Sequence, residues 1–440
     1  MRSDTGWTIR YSLLNIAYFA AFCTIHACAA VFLLAHGFTN TQIGILLAVA
    51  NISSAVLQPY IAGVIDKPGP LTNRRFIMIA VGIILAGSVI LLFVNNNKVI
   101  IFVIYALIYM IQFAYQPVMT ALFFEYQKAG CNIYYGLARG LGSAGFAVTS
   151  VFIGGAIERN GVTLLLYVNI AVMAVSMILI ATFIKPKGEA TEVSCGSEAT
   201  GAAIAAETNA ADRTNTESID EGTGADNGVG SEAVDGAADT GAGSDAAQTA
   251  HNNIVDFTHT YPAFMLFMLA TICFFFAHNM INDFMIQIIQ SLGGTETHLG
   301  YSNFLQAILE LPVMALIPFV LKKVSSNKLL IVSGVAFFIK ILILLFAANL
   351  AMMFVSQSFQ LFAYAVFIPA AAYYVSENMS ELDQVKGQAY VTSAITLGGV
   401  FSNLISGVIL DNLGIKIMLL TGTIVCFVGV IIGYRAMRER

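Results

Sequence analysis

The sequence predicts an all-α integral membrane protein, in which two repeated bundles of six transmembrane helices are joined by a long polar linker. Apolar residues make up 58% of the chain and charged residues only 11%, whereas soluble domains carry about 25% charged residues. The apolar residues form runs near the roughly 20 residues that cross a bilayer. One acidic segment divides these runs into two groups of similar length, and short motifs recur in both groups.

Twelve apolar runs are expected to be transmembrane spans, numbered here in chain order. They lie at 9–35, 42–63, 75–95, 98–124, 133–157, 162–184, 260–289, 296–321, 327–347, 349–375, 387–410 and 413–434. A transmembrane barrel is excluded, because barrel strands alternate over about ten residues and these runs are continuously apolar. The predicted domains are an N-terminal six-helix bundle at 1–184, a linker at 185–259 and a C-terminal six-helix bundle at 260–440.

The segment from Lys185 to Asp256 is rich in Ala, Gly, Ser, Thr and acidic residues and contains no aromatic residue. Between Glu189 and Asp256 there are fourteen acidic residues and one basic residue, Arg213. Such a segment buries too little apolar surface to offset the entropy of ordering. We therefore expect a disordered tether, with a regulatory role as the alternative.

The distribution of basic residues predicts the orientation. With the N-terminus in the cytoplasm, sixteen Lys and Arg residues fall in cytoplasmic segments and three fall in external loops. This asymmetry is the positive-inside pattern. Both termini and the linker are then cytoplasmic, and we expect a multi-pass, monomeric protein of the plasma membrane.

Two motifs repeat between the halves at nearly equal offsets. The segment 37–44 after the first span matches 293–300 after the seventh, and 154–161 at the end of the fifth span matches 407–414 at the end of the eleventh. Parallel repeats of this kind place a substrate site between the halves, near the midplane of the membrane.

The loop after the second span resembles the signature loop of the major facilitator superfamily. The residues that carry the resemblance are Asp66, Lys67, Gly69, Arg74 and Arg75. An acidic residue beside a helix end and facing basic residues can close a cytoplasmic gate. The alternative is that the basic residues only anchor the topology.

A closer resemblance, over both halves, is to the lactose-permease-like branch of that superfamily, which includes oligosaccharide and nucleoside proton symporters. It is carried by Tyr135 to Phe146, Glu310 to Pro312, Gly387 to Tyr390 and Gly407 to Gly414. The resemblance implies the superfamily fold, with Arg139 binding solute and Phe146 stacking on it. It also identifies departures: alanines replace both sugar-binding acids, at Ala121 and Ala307, with Glu125 and Glu310 about one turn later.

Further departures fall at charged positions of that branch. Lys340 stands for an intramembrane arginine, and Gln360 and Ala363 replace the residues that handle the proton. Amides replace charges at Asn279, Asn282 and Gln357. Lactose is therefore not the implied substrate.

Glu310 and Lys340 lie near the midplane of consecutive antiparallel spans, each roughly 20 Å from its helix start at 1.5 Å per residue. An ionisable group costs several kcal/mol in the hydrocarbon region unless it is paired or hydrated. We expect them to face one cavity and to pair, so that protonation of Glu310 couples transport to protons. Substrate binding and a structural ion pair are the alternatives. Asp283 is a second coupling candidate, in the outer third of its span.

Polar uncharged residues recur one turn apart in four spans, and we expect these faces to line one wet cavity. The pairs are Gln112 and Gln116, Asn279 and Asn282, Asn303 and Gln306, and Gln357 and Gln360. With interleaved aromatic residues they suit a ring-bearing polar solute, a sugar or a nucleoside. Hydrogen bonding between helices is the alternative. His26 and His278 are expected to be packing residues.

The sequence contains no metal-ligand cluster, no Ser–His–Asp grouping and no phosphate-binding loop. We therefore expect no enzyme, no metal, no cofactor and no nucleic-acid partner. The favoured function is proton-coupled symport of a small polar solute by alternating access. An exporter or uncoupled facilitator is the alternative, and a transporter-derived sensor is the least favoured.

Overall fold

The computed structural model describes residues 4–65, 67, 69–94, 97–184, 254–380 and 383–438, and these residues form helices and no strand. Eleven of the helices are long and apolar enough to cross a membrane. A further helix of 26 residues, Glu296–Leu321, occupies the position of the eighth predicted span. The prediction of an all-helical membrane protein is confirmed.

The N-terminal half contains the first six spans. Their bounds are Asp4–Phe22, Cys23–Ala27 and Ala29–Ala35 for span 1, Asn40–Ile65 for span 2, Asn73–Phe93 for span 3, Lys98–Ala114 and Gln116–Lys128 for span 4, Tyr135–Asn160 for span 5 and Leu164–Thr182 for span 6. Most of the predicted linker, and Asp66 of the predicted gate loop, lie outside the described residues.

The C-terminal half begins with the short helix Ile254–Thr260, which includes the last residues of the segment predicted as a linker. The spans that follow are Pro262–Asp283 and Met285–Ser291 for span 7, Glu296–Leu321 for span 8, Ser326–Leu345 for span 9, Leu350–Ser358, Phe359–Leu361 and Tyr364–Asn378 for span 10, Gln384–Leu413 for span 11 and Ile415–Arg438 for span 12.

Spans 1, 4, 7 and 10 are each interrupted in the described structure, so the breaks recur at every third span. Span 1 passes through a π-helical turn at Cys23–Ala27. Span 4 breaks at Tyr115, and Pro117 follows within the first turn of the next segment. Proline supplies no backbone N–H, and π-helical turns occur frequently at functional sites. Interrupted helices of this kind commonly form the binding sites of secondary transporters.

The repeated motifs at the ends of spans 5 and 11 adopt the same backbone conformation. Gly161 and Gly414 follow these spans with φ of 81° and 80°. Only glycine takes such values without steric cost, so it ends both helices at the same point. The sequence repeat therefore corresponds to a repeat in three dimensions.

The two halves meet along two seams, one between spans 2 and 11 and the other between spans 5 and 8. Glycines from both halves face each other there: Gly44 and Gly407 in the first seam, Gly154 and Gly300 in the second. A Cβ at any of these positions would overlap with a backbone carbonyl of the opposite half. The absence of side chains lets the helix backbones touch directly.

Candidate functional site

A chain of polar side chains crosses spans 8, 9 and 10 in the C-terminal half. The Lys340 ammonium donates to Gln360 Oε1 at 2.8 Å, and Gln360 Nε2 donates to Glu310 Oε1 at 2.9 Å. Lys340 is fully buried and Gln360 is 2% exposed. We call these three residues the polar chain. It places a cation, an amide and a carboxylate in hydrogen-bonded sequence inside the protein.

The expected direct pair between Glu310 and Lys340 is corrected by this arrangement, because the Gln360 amide lies between the two charges. Gln360 belongs to the 3₁₀ turn Phe359–Leu361, where span 10 leaves the α-helical path. The change of path carries its side chain into the gap between spans 8 and 9. The two charges still interact electrostatically.

Serine hydroxyls stabilise the backbone around this break. Ser333 of span 9 donates to the carbonyl of Ala363 at 2.7 Å, and Ser356 of span 10 donates to the carbonyl of Lys340 at 2.6 Å. The Ala363 carbonyl also accepts from Phe367 N, and Lys340 lies within the unbroken helix of span 9, so these bonds tie the two spans together across the break. Spans 9 and 10 are thereby joined on both sides of the polar chain.

Arg139 of span 5 is the N-terminal counterpart of these charges. Its guanidinium donates to Ser143 Oγ at 3.0 Å and lies over the Phe19 ring, 4.3 Å from the centroid. It is also close enough to Glu310 to interact with it electrostatically. A cation of one half therefore lies within electrostatic range of the carboxylate of the other half.

An aromatic cluster on spans 1, 4 and 5 lies beside Arg139. It comprises Phe22, His26, Tyr109, Phe113 and Phe146, and we call it the aromatic wall. The His26 ring stacks on Phe22 at 4.0 Å with an interplanar angle of 7° and lies 3.7 Å from Tyr109. Phe146 is 6.4 Å from Phe22. Four of the five rings, all but Tyr109, are partly exposed, so the cluster offers aromatic surface beside the guanidinium.

The C-terminal half contains a related histidine on span 7. His278 stacks on Tyr364 at 5.2 Å with an interplanar angle of 12°, and its Nε2 lies 2.9 Å from the Asn282 amide nitrogen. Each half thus pairs a histidine with a tyrosine of the third following span. These ring contacts are compatible with the expected packing role of both histidines, which stays a prediction.

The predicted amides fall into different environments. Gln112 and Gln357 are fully buried, and their amide atoms have no hydrogen-bond partner among the described residues. Asn279 donates to the carbonyl of Phe275 in its own helix and packs against Gly399 of span 11. Buried amides without partners are rare in proteins and call for a water or a ligand.

Two more amides of this set are less enclosed. Gln306 of span 8 is 9% exposed, and Gln116 is partly exposed at the break in span 4. One cavity lined by all these amides stays a prediction, because Asn279 and Asn282 are occupied within span 7.

Asp283 lies apart from the polar chain. It is the last residue of the first segment of span 7 and is close to Asn403 of span 11 and Tyr109 of span 4. This position is between the halves, where a carboxylate can respond to their separation. Its role in proton coupling stays a prediction.

Glu125 and the described residues of the predicted gate loop make contacts within the N-terminal half. Asn73 donates to Glu125 at 3.1 Å. Arg74 donates to the carbonyls of Ile180 and Ala181 at the end of span 6, at 3.0 and 2.6 Å. These carbonyls end a helix and would otherwise need other partners.

The other described residues of the predicted gate loop also form no hydrogen bond with the described residues of the C-terminal half. Arg75 donates to the carbonyl of Pro70, Gly69 lies in a bend and Lys67 is exposed. These hydrogen bonds of the basic pair stay within one half, and a gate formed with the opposite half stays a prediction.

Comparisons with known proteins agree with this architecture. The family model of the MFS_1 like family matches residues 8–420. A search of curated protein sequences finds no match. Among solved structures, a mutant form of the nucleoside transporter NupG is 13% identical with a TM-score of 0.74, covering 98% of this chain and 100% of that one. A second NupG structure has 13% identity, a TM-score of 0.72 and 99% coverage of both chains.

A bacterial homologue of the human lysosomal transporter Spinster, in an inward-facing and unoccupied conformation, is 11% identical. Its TM-score is 0.65, with coverage of 99% of this chain and 97% of that one. At these identities the likeness shows the fold. The family match extends over nearly the whole chain, from the first span into the twelfth. The chain therefore belongs to the MFS_1 like family and is a multi-pass membrane transporter of the major facilitator superfamily, not an enzyme.

Proposed function

We propose that the protein is a proton-coupled symporter that moves a small polar solute, a sugar or a nucleoside, by alternating access. The observation that carries this proposal is the polar chain, in which one amide of an interrupted helix joins a buried cation to a carboxylate. An ionisable group inside a membrane is expensive unless it is paired or hydrated, and it usually marks a proton or substrate path.

Proton coupling follows from the chemistry of the polar chain. As a carboxylate, Glu310 accepts from Gln360 and is balanced by the charge of Lys340. Protonation removes the negative charge and weakens the bond from the Gln360 amide, because hydrogen bonds to ionised groups are the stronger ones. Gln360 sits in the 3₁₀ turn of span 10, so the protonation state of Glu310 acts directly on the interrupted segment of that helix.

The aromatic wall and the buried amides support a ring-bearing polar solute. Rings that are partly exposed on spans 1, 4 and 5 offer stacking faces, and Arg139 offers donors beside them. The amides of Gln112 and Gln357 have donors and acceptors that no described residue uses. The similarity to NupG, a nucleoside transporter, is consistent with this class of solute.

The setting follows from the charge pattern of the sequence. The positive-inside asymmetry favours cytoplasmic termini, and the protein is proposed to work as a monomer in the plasma membrane. An exporter or an uncoupled facilitator on the same fold is the second candidate, because the polar chain would also stabilise the fold without titrating. A sensor derived from a transporter is the least favoured alternative.

Uptake into liposomes containing the purified protein tests the proposal. Labelled sugars and nucleosides are offered with and without an inward proton gradient. Accumulation that an uncoupler abolishes is the expected result, whereas equilibration that ignores the uncoupler indicates a facilitator. Glu310→Gln should keep solute exchange and lose uphill accumulation.

The control is Glu377→Gln, which removes an exposed carboxylate that accepts from Ser326 at the other end of span 10. This variant should accumulate solute normally. Unimpaired uphill uptake by the Glu310 variant would remove that residue from the coupling mechanism.

A further inference from the structure

Helix ends of the two halves meet at the end of the bundle opposite the chain termini, and in each seam a carboxylate near the end of one span lies beside the start of a span of the other half. Asp411 lies near the end of span 11, beside the start of span 2, and Glu158 lies near the end of span 5, beside the start of span 8. They occupy matching positions in the repeated motifs, at an offset of 253 residues. In both seams, an acidic residue of one half meets the N-terminus of a helix of the other half.

Asp411 makes four hydrogen bonds to the first two residues of span 2. Its Oδ1 accepts from Asn40 N at 3.1 Å and Asn40 Nδ2 at 2.8 Å. Its Oδ2 accepts from Thr41 N at 2.7 Å and Thr41 Oγ1 at 2.6 Å. The first backbone N–H groups of a helix have no partner within it. The opposite half therefore provides the acceptors that span 2 lacks.

Other hydrogen-bonding groups at the start of span 2 find partners within the same segment. Thr39 and Gln42 form a reciprocal capping box, with Gln42 N donating to Thr39 Oγ1 at 3.2 Å and Thr39 N donating to Gln42 Oε1 at 3.1 Å. Gln287 of the C-terminal half adds a bond to Asn40 Oδ1 at 2.8 Å. The two backbone N–H groups that donate to Asp411, those of Asn40 and Thr41, are ones that the local box does not use.

Glu158 repeats this arrangement with a different set of donors. It accepts from the hydroxyl of Thr297, and Thr295 also lies beside it. Span 8 has its own capping box, in which Thr295 N donates to His298 Nδ1 at 3.2 Å. The Glu158 contacts use side-chain hydroxyls, whereas those of Asp411 also use backbone N–H groups.

Both sets of bonds must break when the halves separate at this end. A carboxylate at a helix N-terminus is stabilised by the aligned N–H groups and by the helix dipole. Because the acid and the helix belong to different halves, this stabilisation exists only while the seam is closed. The glycines in the seams let the backbones approach closely enough for these bonds to form.

We propose that Asp411 and Glu158 are paired latches that hold the end of the bundle opposite the termini closed, with Asp411 the stronger. They set the balance between the two access states of the transporter and touch neither the polar chain nor the aromatic wall. This role is independent of the identity of the solute.

Cysteine labelling measures the balance directly. Asn403 is fully buried, and its carbonyl abuts Gly44 in the first seam. Asn403→Cys, in a chain whose natural cysteines are replaced and which is reconstituted in nanodiscs, therefore reports opening of that seam. Adding Asp411→Asn should raise the rate of maleimide labelling at least fivefold, and adding Glu158→Gln should raise it by a smaller factor. Together they should raise it more than either alone.

Two controls separate opening of the seam from unfolding. Asn412→Ala changes the next residue, whose amide donates to the carbonyl of Val408 in its own helix, and it should leave the rate unchanged. A chain that keeps only the buried Cys426, inside the C-terminal half, should stay unlabelled in the Asp411 variant. Equal labelling rates with and without both substitutions would overturn the proposal, and so would a matching increase at Cys426.

Discussion

The two halves share a fold but place different chemistry at the centre of the molecule. Around Arg139, the N-terminal half presents rings, with His26 stacked on Phe22 and in tilted contact with Tyr109. The C-terminal half presents a hydrogen-bonded cation, amide and carboxylate. Under the proposed function, the repeated backbone serves two tasks, with the N-terminal half binding the ring of the solute and the C-terminal half carrying the proton.

The largest expected effect comes from the buried cation. Lys340→Met removes the charge that balances Glu310 and should abolish uphill accumulation, to about 1% or less of normal. Breaking a buried charge arrangement costs about 3–5 kcal/mol, so the melting temperature should also fall. Combining Lys340→Met with Glu310→Gln should recover stability but not accumulation. If the double variant melted as low as the single one, the two charges would not be energetically coupled.

Two glutamines of span 10 offer a comparison within one helix. Gln360→Leu leaves Lys340 and Glu310 without their shared partner and should reduce accumulation about tenfold and lower the melting temperature. Gln357→Leu removes a buried amide that has no partner among the described residues, and it should maintain or raise the melting temperature. Thermal unfolding in detergent measures both. If the two changes lowered the melting temperature equally, the hydrogen bonds of Gln360 in the polar chain would not stabilise the C-terminal half.

The smallest expected effect lies in the aromatic wall. Phe22→Leu keeps apolar volume but removes the ring that stacks on His26. A ring pair contributes about 0.5–1.5 kcal/mol, so the apparent KM for solute should rise about threefold to tenfold, while the accumulation ratio stays normal. Phe93→Leu, at the exposed end of span 3, is the matched control. A loss of coupling in the Phe22 variant would contradict the division of tasks between the halves.

The long apolar runs were enough to predict the spans, because the bilayer permits few solutions for a continuously apolar run, and the two recurring motifs predicted the repeat. Because the runs are continuously apolar, the sequence did not predict the helix breaks in spans 1, 4, 7 and 10. Nothing in the apolar runs of spans 1, 7 and 10 distinguishes a broken helix from a straight one, although Pro117 could have indicated the break in span 4. The predicted pair of Glu310 and Lys340 assumed straight helices. The 3₁₀ turn that places Gln360 between them could not be predicted on that assumption.

The contacts of Asp411 and Glu158 could not be predicted from the sequence, for a different reason. Both residues were part of the motifs that predicted the repeat, but sequence comparison of the two halves indicates equivalence and not contact. Their role as caps of the opposite half depends on which helices the fold brings together. The glycines of the same motifs could not be interpreted from the sequence either. A glycine that allows two helices to approach closely looks the same in a sequence as a glycine that ends a helix.

The capping of span 2 from span 11 has a consequence for biogenesis. Asp411 follows Asn40 by 371 residues, so the first turn of span 2 lacks these acceptors until span 11 has been inserted. Glu158, in contrast, is already in place when span 8 emerges from the ribosome. An isolated N-terminal bundle would thus display a frayed helix start, and the later bundle completes the earlier one on docking.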